Sequence, residues 1–287
     1  MFGAMTGDIV GSIYEFNTIK TKEFPLFSGD CSFTDDTVMT VAIARALLRC
    51  CGTQETFIRA AEEEMHSLGR KYPYAGYGSR FFAWLLDDCP HPYNSYGNGS
   101  AMRVSPCGLI AVTLDEALSL SAASAEVTHN HPEGIKGARA AAAAVFLAKT
   151  GSRKEQIAEY IRQNFYPLEE TLDEIREYYL FNETCMNTVP QAITAFLESE
   201  SYEDAVRNAV SLGGDSDTLA AITGGIAWAY YRCGKKELPQ DMKAVRMQAE
   251  QYLPAEFVST AERFEELCSR RAQCCGAYGE CAEICVK

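Results

Sequence analysis

Seven of the eleven residues from Ala138 to Ala148 are alanine. Such a run favours helix over any other conformation, and its small side chains let neighbouring helices close in. A chain with this segment at its middle is expected to have a helical interior. The rest keeps the same period. Residues 54–68 are amphipathic, with Phe57, Ile58, Ala61 and Met65 on one stripe. Residues 35–50 are apolar and Ala-rich enough for a helix buried on most sides. Further helices are expected near 79–87, 101–111, 114–127, 133–149, 153–165, 171–181, 188–199, 202–211, 217–232, 241–252 and 255–271.

Strand signals are few. The stretch from Asn17 to Phe27 alternates weakly and runs into the turn Ser28-Gly29-Asp30, so it reads as an extended loop. No strand–helix alternation is present, which argues against a doubly wound sheet. The expected architecture is one all-α domain over residues 1–271. Residues 272–287 differ in composition and form a tail holding Cys274, Cys275, Cys281 and Cys285.

At 287 residues and 47% apolar content, the chain can bury such a core. Its net charge of −13 argues against general nucleic-acid or anionic-membrane binding. No run reaches the roughly 18 apolar residues of a membrane span. The N-terminus lacks a basic region and carries an early acid, Asp8, unlike a signal peptide. The twelve cysteines are scattered, several in apolar segments (Cys50, Cys107, Cys233), as buried reduced thiols are. A cytoplasmic monomer is the expectation.

Four polar stretches interrupt the helices. Thr34-Asp35-Asp36-Thr37 opens one apolar helix, and Gly213-Gly214-Asp215-Ser216-Asp217-Thr218 opens another. Each alone reads as an N-cap, where a side-chain oxygen accepts from first-turn N–H groups. A cap needs one carboxylate, and each stretch has two. Two similar stretches suggest one site built from both. Four carboxylates at one point carry about −4 and repel strongly unless protonated or neutralised by cations. Two divalent ions supply the opposite charge, and oxygen-only ligands favour Mg²⁺, Mn²⁺ or Ca²⁺ over zinc.

The third stretch runs from Asn94 through Ser95, Tyr96, Gly97, Asn98, Gly99 and Ser100 into a helix. Backbone N–H groups at such a turn can cradle phosphate, although no Lys follows as in a P-loop. The fourth is Thr128-His129-Asn130-His131. No cysteine pair or third histidine lies at zinc-ligand spacing, so a loop histidine contacting a ligand is the better reading.

With these motifs in this order, residues 1–265 resemble the ADP-ribosylglycohydrolases, of the dinitrogenase-reductase-activating glycohydrolase type. The resemblance rests on Gly3-Ala4-Met5-Thr6-Gly7-Asp8-Ile9-Val10-Gly11-Ser12, on Phe33-Thr34-Asp35-Asp36-Thr37 and on Tyr96-Gly97-Asn98-Gly99-Ser100-Ala101-Met102-Arg103. It is completed by Thr128-His129 and Gly213-Gly214-Asp215-Ser216-Asp217-Thr218. It implies an all-α orthogonal multi-helix bundle with two Mg²⁺ (or Mn²⁺) ions in a cleft, acting on ADP-ribose attached to a protein or related acceptor. Carried over by motif, Thr34, Asp35, Asp36, Asp215, Asp217 and Thr218 would ligate the metals, with Asp217 bridging. Ser95, Tyr96, Gly97, Asn98, Gly99 and His129 would line the ADP-ribose pocket. Glu15 matches an acid found on a flap in members acting on serine linkages.

The reaction so implied leaves oxocarbenium character on the distal ribose. Water would attack the anomeric carbon, with Asp35 or Glu15 assisting proton transfer. Rival readings are a metal-dependent phosphate-ester hydrolase, a non-catalytic ADP-ribose binder, and an interaction or zinc module in the Cys-rich tail. The tail's cysteine spacing matches no strong zinc pattern.

Overall fold

The computed structural model describes residues 1–50 and 54–277, and these contain helices and loops but no named strand. In chain order the helices are α1 (Phe2–Gly11), α2 (Asp35–Arg49), α3 (Gln54–Lys71), α4 (Ser79–Leu86) and α5 (Gly99–Met102). Then come α6 (Ser105–Ile110), α7 (Leu114–Glu126), α8 (Pro132–Lys149), α9 (Lys154–Asn164) and α10 (Leu172–Tyr178). The chain continues through α11 (Cys185–Leu197), α12 (Tyr202–Val210), α13 (Ser216–Arg232), α14 (Gln240–Ala249) with a short 3₁₀ turn (Glu250–Tyr252), and α15 (Ala255–Ala277). The fold is all-α, as the sequence implied. One buried apolar cluster reaches from Met1 to Phe264.

The alanine run lies in α8, where Ala140 to Ala144 are all buried. Its neighbours approach closely because little projects from it. A Cβ on Gly108 of α6 would come within 2.6 Å of the Ala142 carbonyl. Helix α1 was not legible from the sequence. Three glycines in ten residues lower intrinsic helix propensity by roughly 1 kcal/mol each. Those glycines are the contact itself. Gly3, Gly7 and Gly11 recur every fourth residue, on one face. A Cβ at each would collide with α13, at Trp228 and Gly224, at the Ala220 carbonyl, and at Ser216 and Asp217. Backbone therefore packs on backbone, and tertiary contact overrides propensity.

Other boundaries shift for identifiable reasons. The helix expected over 101–111 is two helices, α5 and α6, because Pro106 lacks an N–H and fits only a first turn. Helix α11 starts at Cys185 and carries Pro190 inside it, rather than starting at residue 188. Helix α10 stops at Tyr178, where Tyr179 turns extended and donates its hydroxyl to the Asn187 carbonyl (2.8 Å). Helix α15 continues to Ala277, past the tail boundary expected at 271. Cys281 and Cys285 lie outside the described residues.

Helix α15 also fixes the entrance of α2. Phe33, just before the first Asp pair, packs edge-on against Phe257 (5.5 Å) and Tyr72 (5.6 Å). Of the three rings only Phe257 is fully buried, which contributes about 1.5–3 kcal/mol. Beside them, Glu256 accepts from Lys71 (2.6 Å), Arg45 (3.0 Å) and the Tyr72 hydroxyl. Lys71 and the Tyr72 hydroxyl hold its carboxyl down to about 2 from an ordinary 4.5. A depressed folded-state pKa stabilises the fold above the unfolded value and stops doing so as pH falls through the folded one. Glu256→Gln is therefore expected to cost about 2 kcal/mol at neutral pH, reduced for solvent screening at a partly exposed site. The gap to wild type should close between pH 4.5 and pH 2. Urea unfolding across that range checks it, and a pH-independent gap refutes it.

Candidate active site

The Gly face of α1 places Asp8 beside Asp217 at the start of α13. Asp8 is fully buried and turns toward α2. Its carboxylate accepts from the backbone N–H of Thr34 (2.9 Å) and Thr37 (3.0 Å) and from the Thr34 hydroxyl (2.7 Å). The Thr34 oxygen in turn accepts from the Asp36 N–H (3.3 Å). Capping of α2 is thus done by Asp8 and Thr34 together, from outside the Asp pair. Asp35 is tied by its backbone alone, donating to the Ala75 carbonyl (2.7 Å). Neither carboxylate of the pair is needed for a cap, so both are free for another task.

The second Asp pair is presented by two glycines in left-handed backbone, Gly213 (φ 71°) and Gly214 (φ 73°). L side chains are strained there, which is why both positions are glycine. The turn is held by Lys20, whose ammonium donates to the Leu212 and Tyr179 carbonyls at 2.6 Å each. Asp215 accepts from the Asn98 amide (2.7 Å), Asp217 accepts from the Thr218 N–H (2.9 Å), and Thr218 donates to Asp36 (3.1 Å). The last bond joins the two pairs directly. Glu15, on the loop after α1, offers an oxygen within 4.8 Å of oxygens of Asp215 and Asp217.

These groups carry no adequate counter-charge. Burial, and then the charge of Asp217, push Asp8 up to about 7 and Glu15 to about 8. The same two causes, in the same order, raise Asp35, Asp36 and Asp215 well above the usual carboxylate range. Asp36 Oδ1 is buried with no hydrogen-bond partner among the described residues. An orphaned carboxylate oxygen within an all-oxygen donor set fits hard divalent cations. The residues available to hold them are Asp35, Asp36, Asp215, Asp217, Thr218 and Glu15, with one lone pair of Thr34 left beyond its two bonds.

Above this floor is a cleft of about 230 Å³. Ser95, Gly97, Asn98, Gly99 and His129 form one wall, and Gly76, Gly78, Ser79 and Arg80 lie on the lining as well. Asn98 ties wall to floor, since its amide also donates to Thr188 (3.1 Å) while its backbone N–H donates to the Glu183 carbonyl (2.7 Å). Behind His129 sits Arg103, 0% exposed. Its guanidinium donates to the Ser124 carbonyl and the Thr128 hydroxyl oxygen, both at 2.9 Å. Thr128 stands 2.7 Å from His129 Nδ1. Burial, then Arg103 and Arg80, push the His129 pKa well down, so the ring is neutral. Nε2 lies against Gly97 and Gly99.

The structure thus brings together Glu15, Asp35, Asp36, Asp215, Asp217, Thr218, Ser95, Gly97, Asn98, Gly99 and His129 around one cleft. It does not bring the Tyr96 side chain there. That ring is 47% exposed and packs edge-on against His131 (5.3 Å). His131 caps α8, accepting from the Glu133 N–H (3.1 Å). Thr34 stands behind Asp35, facing Asp8. Sequence reasoning missed Asp8, Arg80, Tyr93, Arg103 and Glu183. The signal for Asp8 was present: a lone acid in an apolar segment with glycine every fourth residue. Arg80 and Tyr93 carried no comparable signal.

Comparison with known proteins places these features in a family. The family model for ADP-ribosylglycohydrolase matches residues 1–275. ADP-ribosylhydrolase ARH3 of Mus musculus is 27% identical, over 83% of this chain and 84% of its own length. ADP-ribosylarginine hydrolase Tri1 of Pseudomonas putida is 24% identical, over 93% and 79% respectively. A solved ADP-ribosylglycohydrolase-related protein complex shares the fold, with a TM-score of 0.60 and 23% identity over 95% of this chain and 96% of that one.

Proposed function

Because the chain belongs to the ADP-ribosylglycohydrolase family, we propose that it hydrolyses ADP-ribosyl conjugates at the anomeric carbon of the distal ribose. Water adds to that carbon, the bond to the acceptor breaks, and ADP-ribose and the protonated acceptor leave. The observation that carries this reading is the Thr218–Asp36 hydrogen bond, 3.1 Å, which joins the two Asp pairs on the floor of a cleft. The names of the relatives support the substrate class.

Two Mg²⁺ or Mn²⁺ ions held by Thr34, Asp35, Asp36, Asp215, Asp217 and Thr218 would neutralise the floor and polarise oxygen atoms bound there. The chain's own groups do the rest. Glu15 or Asp35 takes a proton from the attacking water and returns one to the leaving acceptor. The acidic floor favours the positive charge that develops on the ribose. Asn98 holds Asp215 in place through its amide. The Ser95–Gly99 wall and the neutral His129 ring shape the pocket that orients the ADP-ribosyl group.

No helix of the described residues is long and apolar enough to cross a membrane. Cys107 and Cys185 are free thiols, both buried. We read the protein as a cytoplasmic monomer with a catalytic domain followed by the Cys-rich tail. The test is ADP-ribose release from arginine-, serine- and nucleic-acid-linked conjugates, measured side by side with and without Mg²⁺. Release that requires the cation is the expected result for at least one linkage. Cleavage of simple phosphate esters alone, or binding without turnover, overturns the proposal.

A further inference from the structure

Six carboxylates line the cleft, and among the described residues only two cationic side chains accompany them, Arg80 and Arg103. A cleft of that sign repels a diphosphate unless a cation is placed where the phosphates lie. Arg103 is 0% exposed and holds Ser124 and Thr128. Arg80 is the exposed one. It stands at the start of α4, its guanidinium 4.9 Å over the Tyr93 ring, with Nη2 donating to the Tyr93 carbonyl. Its other nitrogens have no partner among the described residues, and it forms no ion pair there despite the surrounding acid. These two contacts with Tyr93 hold the guanidinium at the cleft lining.

Arg80 is linked to the glycine wall by a chain of contacts. Tyr93 packs on His129 at 5.8 Å, and His129 Nε2 lies against Gly97 and Gly99. The Arg80 charge reaches His129 and helps keep it neutral. Gly78 and Ser79, at the N-terminus of α4, line the cleft beside Arg80. A guanidinium with unpaired N–H groups is a donor suited to phosphate oxygens.

We infer that Arg80 is the diphosphate-binding cation of this cleft. The assignment rests on the ADP-ribosyl reading above and adds to it a residue that the motifs do not contain. Arg80 binds and orients; it takes no part in proton transfer.

The experiment measures Kd for ADP-ribose by titration calorimetry with Mg²⁺ present, and KM and kcat on an ADP-ribosyl conjugate, for wild type, Arg80→Met and Arg80→Lys. Loss of a charge-assisted phosphate contact predicts that Arg80→Met weakens Kd and raises KM on the order of 10- to 100-fold. kcat should stay within about threefold. Arg80→Lys keeps the charge without the fork and should fall between. Added KCl should weaken ADP-ribose binding less steeply in Arg80→Met than in wild type. If Arg80→Met melts early, Arg80→Lys carries the test by the same readouts. Wild-type binding that both variants leave within twofold overturns this assignment alone. A wild-type protein that binds no ADP-ribose overturns the broader reading with it.

Discussion

Asp217→Asn is expected to lower ADP-ribose release on the order of a thousand-fold while raising the melting temperature of the metal-free protein. The two effects share one cause. After burial, the charge of Asp217 is the next largest influence raising Asp8, Glu15, Asp35, Asp36 and Asp215. The fold therefore holds these carboxylates against their mutual repulsion. An amide in place of Asp217 removes the central charge and still accepts from the Thr218 N–H through its oxygen. Relief of repulsion should add a few degrees to the melting temperature. The same charge is what a cation and a developing oxocarbenium need, and removing one such electrostatic partner costs about 3–4 kcal/mol of transition-state stabilisation. Mg²⁺ should then raise the melting temperature less than it does in wild type. Turnover near wild type in Mg²⁺ refutes the carboxylate floor. A lower metal-free melting temperature refutes the repulsion.

Gly7→Val is expected to destabilise the protein by about 3 kcal/mol or more, an upper-range effect for overpacking. The Cβ has no space, since its nearest neighbours are the Ala220 carbonyl oxygen and carbon, which are backbone atoms and cannot rotate away. Either α1 or α13 must move, and each carries an acid of the site, Asp8 on one and Asp217 on the other. Loss of stability in urea should therefore come with loss of activity in whatever fraction still folds. Gly29→Ala is the control. A Cβ there meets nothing within 4 Å, and the expected change is within about 0.5 kcal/mol. Equal stability of the two variants refutes the packing argument.

Helices whose apolar residues recur at helical spacing were legible nearly to the residue. The stripe from Phe57 to Met65 lies in Gln54–Lys71, and the segment expected over 202–211 is Tyr202–Val210. Helix α1 was not, because local propensity and tertiary contact oppose each other there. The site divides similarly. Two Asp pairs at two helix entrances could be read from the chain, because a cap leaves one acid of each pair idle. That Asp8 does the capping in place of Asp35 or Asp36 could not, since it lies 26 residues from Thr34 in sequence.

The sequence by itself determined the helical class, the alanine-lined interior and the type of chemistry. Those depend on side-chain period, side-chain size and the donor atoms present, all of which are local. The tertiary structure alone decided which acids meet, which residue caps α2, and which arginine stays exposed at the cleft. Those depend on two helices touching through glycine backbone, and on Tyr93 holding Arg80 at the rim. Such through-space proximity between distant segments is fixed by packing, which no local pattern encodes.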